Sequence, residues 1–210
     1  MGVQFSDSFR HDLAELMRWR RDVRRFRSDP VDTRVLDRCL QSFTLAPSVG
    51  LSQPWRLRRI ASGPARDAAR RNFTAANAAA LGGYDGDKAA TYAGLKLSGM
   101  DRAPEQIAVF CDEATAQGAG LGAGTMPEMR RYSVVCAIMQ FWLVARAEGL
   151  GVGWVSILNA PALCRDWNMP ETWELVAYLC IGWPEDDGTD PELEKAGWET
   201  RRSLPPLETI

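Results

Sequence analysis

The chain has 210 residues, 46% of them apolar, with 25 basic and 27 acidic side chains and a net charge of -2. That length and apolar content suit one domain with a substantial core, and the near balance of charge excludes a global field that would gather nucleic acid or an anionic membrane. The five cysteines, Cys39, Cys111, Cys136, Cys164 and Cys180, are odd in number, lack C-x-x-C spacing and sit among apolar neighbours, which predicts reduced core thiols in a cytoplasmic protein. With His11 the only histidine, no metal site is expected, and neither a signal-peptide core nor a membrane-length apolar run is present.

Phe9, Leu13, Leu16 and Met17 recur at three- and four-residue steps, predicting a helix over 5–19 with Ser6 or Asp7 at its cap. It runs into Arg20-Arg21-Asp22-Val23-Arg24-Arg25-Phe26, one carboxylate within a knot of guanidinium groups. If the chain is extended beyond Trp19, alternate side chains share a face, so Arg20, Asp22 and Arg24 point the same way. Such a fork suits a ligand that offers phosphate and carbonyl oxygens beside hydroxyl groups. The alternative is a solvated basic helix end that complements the dipole. Asp32 caps a second helix through Phe43, closed before Pro47, and 46–55 is a loop. A short strand at 56–60 precedes an alanine-rich helix from Pro64 to Leu81. The glycine-punctuated stretch 82–100, with Tyr84, Lys88, Tyr92 and Lys96, is expected to form a mobile lid.

A buried strand is expected at 106–111, and the glycine run at 118–124 has no nucleotide-binding frame. Met129 to Glu148 is apolar on most sides, which predicts either a central core helix or one that also meets a second subunit. Beyond Gly149–Gly153 come an extended segment at 154–158, a short helix capped by Asn159 and an interior strand at 174–183. From about 184 an acidic, proline-rich tail follows, broken by Trp198, Arg201 and Arg202.

Four stretches, namely the arginine knot, Ala46-Pro47-Ser48-Val49-Gly50-Leu51-Ser52-Gln53-Pro54-Trp55, Gly149 to Ser156, and Cys180-Ile181-Gly182-Trp183-Pro184, together resemble the nitroreductase-like flavoprotein superfamily. The resemblance runs from about Leu16 to Trp198 and implies an α+β fold, a mixed sheet surrounded by helices in a single domain over 1–210. It also implies an intertwined homodimer with FMN at the interface. Asp22 stands where that superfamily usually has the serine of Arg-x-Ser, and Ser156 where it usually has glycine. Both departures resemble the branch that consumes flavin. They imply oxygen-dependent fragmentation of reduced FMN to 5,6-dimethylbenzimidazole and D-erythrose 4-phosphate for cobalamin synthesis, with no metal, molecular oxygen as co-substrate and an external flavin reductase.

On this resemblance Asp22 is the general base and Ser156 a hydroxyl at the ring edge, the alternative being a buried serine satisfied by backbone. Arg20, Arg21 and Arg24 are placed on the ring edge, ribityl chain and phosphate, and Ser48, Ser52 and Gln53 on the ribityl chain or phosphate. Leu95 and Val155 join the flavin contacts, and Arg201 adds phosphate charge. Pro54-Trp55 and Gly153-Trp154 either shape the pocket wall or serve packing. Two other functions fit the same residues: an NAD(P)H-dependent FMN oxidoreductase and a non-catalytic flavin binder. A nucleic-acid binder is disfavoured, because no aromatic stacking series accompanies the arginines.

Overall fold

Two apolar runs, at 105–112 and 173–182, lie side by side at the centre of a four-stranded sheet in a computed structural model that describes residues 2–95 and 99–209. The order is β1-β2-β4-β3, with β1 at Trp55–Arg59, β2 at Glu105–Asp112, β3 at Gly151–Val155 and β4 at Trp173–Gly182. All three pairings are antiparallel. The parallel component of the expected mixed sheet is reduced, among the described residues, to an isolated bridge between Asp22 and Val152.

Side chains alternate across the central strands as a pleat requires. Ile107, Val109 and Cys111 join Ala177, Leu179 and Ile181 in one core, while Ala108 and Phe110 join Tyr178 and Cys180 in another. Both faces are covered, which is why these strands read as near-continuous apolar runs. Helix α2 (Thr33–Gln41) and helix α5 (Met129–Ala147) pack on the first face through Leu36, Cys39, Val134, Ile138 and Phe141. Helices α3 (Gly63–Leu81) and α6 (Ala160–Asp166) pack on the second through Ala69 and Leu163. A register shift opposite Val109 and Phe110 leaves Val176 beside Ala177 on the first face, as a bulge does.

Helix starts follow local chemistry. Ser6 accepts from the Phe9 N–H to open α1 (Asp7–Trp19), Asp32 accepts from Arg34 to open α2, and Asn159 accepts from Ala162 to open α6. Helix α2 tightens into a 3-10 turn, Ser42–Leu45, before Pro47, and a second such turn, Val49–Leu51, lies inside the segment read as a loop. The stretch expected as a lid contains α4 (Gly86–Gly94), and Lys96 lies outside the described residues. Past Pro184 the tail forms α7 (Glu192–Lys195) and is then exposed from Glu199 onward.

One expectation needs correction. Cys39, Cys111 and Cys180 are buried, but Cys136 is exposed and Cys164 half-buried, so the five free thiols are not all core residues. The reason is the placement of α5. It buries one side and leaves Tyr132, Val135 and Met139 at 53%, 40% and 41% exposure, with Cys136 in the same stripe. Burial pushes the Cys39 thiol up to about 11 and the Cys111 thiol up to about 12. Among the described residues no helix is long and apolar enough to cross a membrane.

Candidate active site

The chain leaves α1 at Arg20, whose backbone is already extended while its N–H still reaches the Leu16 carbonyl. Two residues on, Asp22 bridges to Val152, and the Val23 N–H donates to the Val152 carbonyl at 3.0 Å. So close an approach to β3 depends on glycine. A Cβ at Gly151 would stand 2.8 Å from Val23 Cγ2, and one at Gly153 would collide with the Val23 carbonyl oxygen. The Asp22 carboxylate is held at both oxygens: the Trp154 N–H donates to Oδ1 at 2.9 Å and Arg24 Nε to Oδ2 at 3.1 Å. Its side chain is nevertheless 39% exposed, against 12% for Arg24. A carboxylate offers about four acceptor positions, so lone pairs remain for a ligand hydroxyl or a proton.

Asp22 and Arg24 share a face as alternation predicts, whereas Arg20 turns its guanidinium onto the Trp142 ring, 4.7 Å from the centroid. Burial pushes Arg20 below its ordinary value, Asp22 opposes that, and the charge of Arg201 adds to it. Arg21 donates to the Arg18 carbonyl at 2.6 and 3.0 Å and to the Met17 carbonyl at 3.4 Å. The helix-end reading therefore holds for Arg21, which satisfies the last carbonyls of α1. Burial lowers Arg21 as well, followed by the charges of Arg201 and Arg20, with Asp190 opposing. Three cations that press on one another this way make a receptive place for a phosphate.

A notch of about 80 Å³ separates Arg21–Arg25 from the acidic segment that begins at Asp186. Beside it a cleft of about 290 Å³ is walled by Arg24 and Arg25, by Gly94 and Leu95 at the end of α4, and by Glu192 and Lys195 of α7. Pockets that enclose small ligands span roughly 300–1,000 Å³, so this cleft lies at the lower edge of that range. Ser156 follows β3 directly and is exposed, and no hydrogen-bond partner for its hydroxyl is found among the described residues. It is not the buried, backbone-satisfied serine of the alternative reading. Val155 is 5% exposed within the second core, so its backbone is what it can present to a ligand.

Residues 17–183 match the model of the Nitroreductase family. The chain belongs to the nitroreductase family. It is 53% identical to a Rhodospirillum rubrum protein named 5,6-dimethylbenzimidazole synthase, with 97% of each chain covered. A Rhodobacter capsulatus protein of the same name is 47% identical, covering 94% of this chain and 95% of its own. Among solved structures, oxidized iodotyrosine deiodinase bound to FMN and 3-iodo-L-tyrosine superposes with a TM-score of 0.75 at 20% identity, covering 94% of this chain and all of the other. A nitroreductase-like protein from Bacillus cereus gives 0.63 at 20% identity, with 100% and 98% covered. At that identity the likeness is one of fold.

Within this nitroreductase fold, Ser48, Ser52 and Gln53 stand apart from the arginine knot. Their turn is strained, with Gly50, Leu51 and Gln53 all at positive φ of 57°, 56° and 41°. The Ser48 hydroxyl accepts from the Gln53 N–H at 3.1 Å, and the Val49 N–H donates to Ser133 Oγ at 3.0 Å, near the start of α5. Arg20 stacks on Trp142, nine positions further along α5, about 14 Å at the rise of an α-helix. Neither arginine-side cavity includes any of the three. Ser52 is 3% exposed and its hydroxyl has no partner among the described residues. The two groups of predicted site residues thus lie at different positions along α5.

Two contributors escaped the sequence reading. The sequence reads Trp142 as helix core, because no local spacing links it to Arg20. Gly153 was a candidate for the pocket wall, yet its service is to let Val23 approach; the alternation Gly151-Val152-Gly153 was the available signal.

Proposed function

We propose that the chain is a 5,6-dimethylbenzimidazole synthase that fragments reduced FMN, in an oxygen-dependent reaction, to 5,6-dimethylbenzimidazole and D-erythrose 4-phosphate for cobalamin synthesis. The observation that carries this reading is Asp22: a part-exposed carboxylate pinned by the Trp154 N–H and Arg24, beside cations that suit a phosphate. The shared name of relatives at 53% and 47% identity supports it. Arg20, Arg21 and Arg201 would hold the phosphate, and Arg24 and Asp22 would face the ribityl arm. When bound, the dihydroflavin supplies the electrons that activate oxygen and is itself consumed. Asp22 accepts the proton released from the ribityl side, a role set by position as much as by basicity. The free Ser156 hydroxyl donates toward the ring edge.

The enclosure is completed by a second copy. The apolar stripe of Tyr132, Val135 and Met139 on α5 is the surface we assign to the homodimer. The partner's turn at 48–53 then closes the cleft, giving the buried Ser52 hydroxyl a ligand to meet. A separate flavin reductase provides the reduced FMN, and the free thiols suit a reducing cytoplasm.

The deciding experiment incubates the protein in air with FMN and an independent reductase, and identifies the benzimidazole by mass and absorbance. Intact flavin after many turnovers would instead favour an NAD(P)H-dependent oxidoreductase that uses FMN catalytically. Ser156→Gly is expected to lower product yield by at least about tenfold while FMN affinity changes little, as for a hydrogen bond made chiefly during reaction. An unchanged yield removes the hydroxyl from the chemistry.

A further inference from the structure

The cleft beside Arg24 and Arg25 has two walls that come from distant parts of the chain, the end of α4 and α7. Both are joined at one residue, Trp198. The Trp198 ring meets Tyr84 edge-on at 5.3 Å and Tyr92 at 6.1 Å, while Tyr84 and Tyr92 stack on each other at 4.9 Å. Lys88 of α4 lies 4.4 Å over the Trp198 ring and donates to its carbonyl at 2.6 Å. Tyr92 is 6% exposed, and its hydroxyl bonds Asn77 Oδ1 of α3 at 2.8 Å, which anchors the cluster to the body of the fold. On the other side, the Trp198 backbone N–H donates to the Leu193 carbonyl, closing α7, and Glu192 of α7 pairs with Arg25 at 2.9 Å. Three residues past Trp198 stands Arg201, its backbone fixed by Glu194 at 3.3 Å.

We infer that Trp198 is a positioning and specificity-determining residue: it fastens α4 to the segment bearing Arg201, so that a phosphate seated among Arg20, Arg21 and Arg201 also holds α4 against the cleft. The inference rests on the flavin-site reading above. Its chemistry is that of two levers on one pivot. Arg201 is exposed and, among the described residues, tethered only through its backbone, so an anion gives its guanidinium a fixed place. That fixes the segment from Trp198 onward, and the aromatic cluster passes the constraint to α4. A flavin with a phosphate then closes the cleft, and one without it binds to an open cleft.

The test compares wild type, Trp198→Ala, Trp198→Phe and Lys88→Met. Hydrogen exchange across 84–95 is followed with oxidised FMN, with riboflavin and with inorganic phosphate alone, alongside the affinities of the two flavins. In wild type, FMN and inorganic phosphate are expected to slow exchange in α4 and riboflavin to leave it unchanged. Trp198→Ala should lose the slowing and shrink the preference for FMN over riboflavin by about tenfold. Trp198→Phe should retain most of both, and Lys88→Met should fall between. A purely structural role would speed exchange equally with every ligand and leave the FMN preference intact. Full ligand-dependent slowing in Trp198→Ala, or FMN binding to wild type without any change in α4, overturns the inference. If wild type bound neither flavin, the flavin-site reading would be the one to fail. The inorganic-phosphate arm then decides for Trp198: slowing that the alanine variant loses supports the link, and no slowing in wild type refutes it.

Discussion

Asp22→Asn should abolish most product formation, by about 10²- to 10⁴-fold, the range that a positioned general base contributes. The substitution is a fair probe because it spares the scaffold. Asparagine keeps an oxygen for the Trp154 N–H, now 2.9 Å from Asp22 Oδ1, and loses the charge that pairs with Arg24. That pair is part-exposed on the Asp22 side, so its loss should cost less than about 1 kcal/mol of stability. Oxidised FMN should therefore still bind, as fluorescence titration would show, while single-turnover yields collapse. Product formation at the wild-type rate would mean that another group takes the proton.

Gly153→Ala is expected to disturb the same carboxylate from below. The added methyl would run into the Val23 carbonyl, a backbone atom with no rotamer to escape by, so the 22–23 segment has to lift from β3. Forced repacking of this kind costs about 1–3 kcal/mol, and the Val23–Val152 hydrogen bond is lost with it. Urea denaturation should show the lower midpoint. The variant should also bind FMN more weakly than Asp22→Asn does, because the whole arginine segment shifts. A midpoint and affinity equal to wild type would show that the strand pair tolerates the methyl, contrary to the geometry.

Much of the fold is legible in the sequence because its signals are local. Ser6, Asp32 and Asn159 announce helices through their own side chains, and the unbroken apolar runs of β2 and β4 announce strands covered on both faces. What was not legible depends on pairs far apart in the chain. Nothing near Arg20 points to Trp142, and nothing near Asp22 points to the Trp154 N–H. The order and pairing of the four strands were likewise not legible, because a resemblance conveys a whole fold and not the register of each strand. The arginine knot was read as either a ligand fork or a helix end. Arg21 serves the end of α1, as the second reading has it, while Arg24 pairs with Asp22.

With Arg21 on the phosphate, as proposed above, the N-terminal helix becomes tied to ligand occupancy. Helix α1 has no buried residue, so its melting equilibrium leans on the guanidinium that closes its final turn. An anion that draws Arg21 outward competes with those carbonyls; one that accepts from its unused N–H groups reinforces them. Thermodynamic reciprocity then requires that whatever factor the ligand applies to the unwinding equilibrium of α1, unwinding applies in return to ligand affinity. Fraying of a surface helix thereby becomes a gauge of what the interior holds.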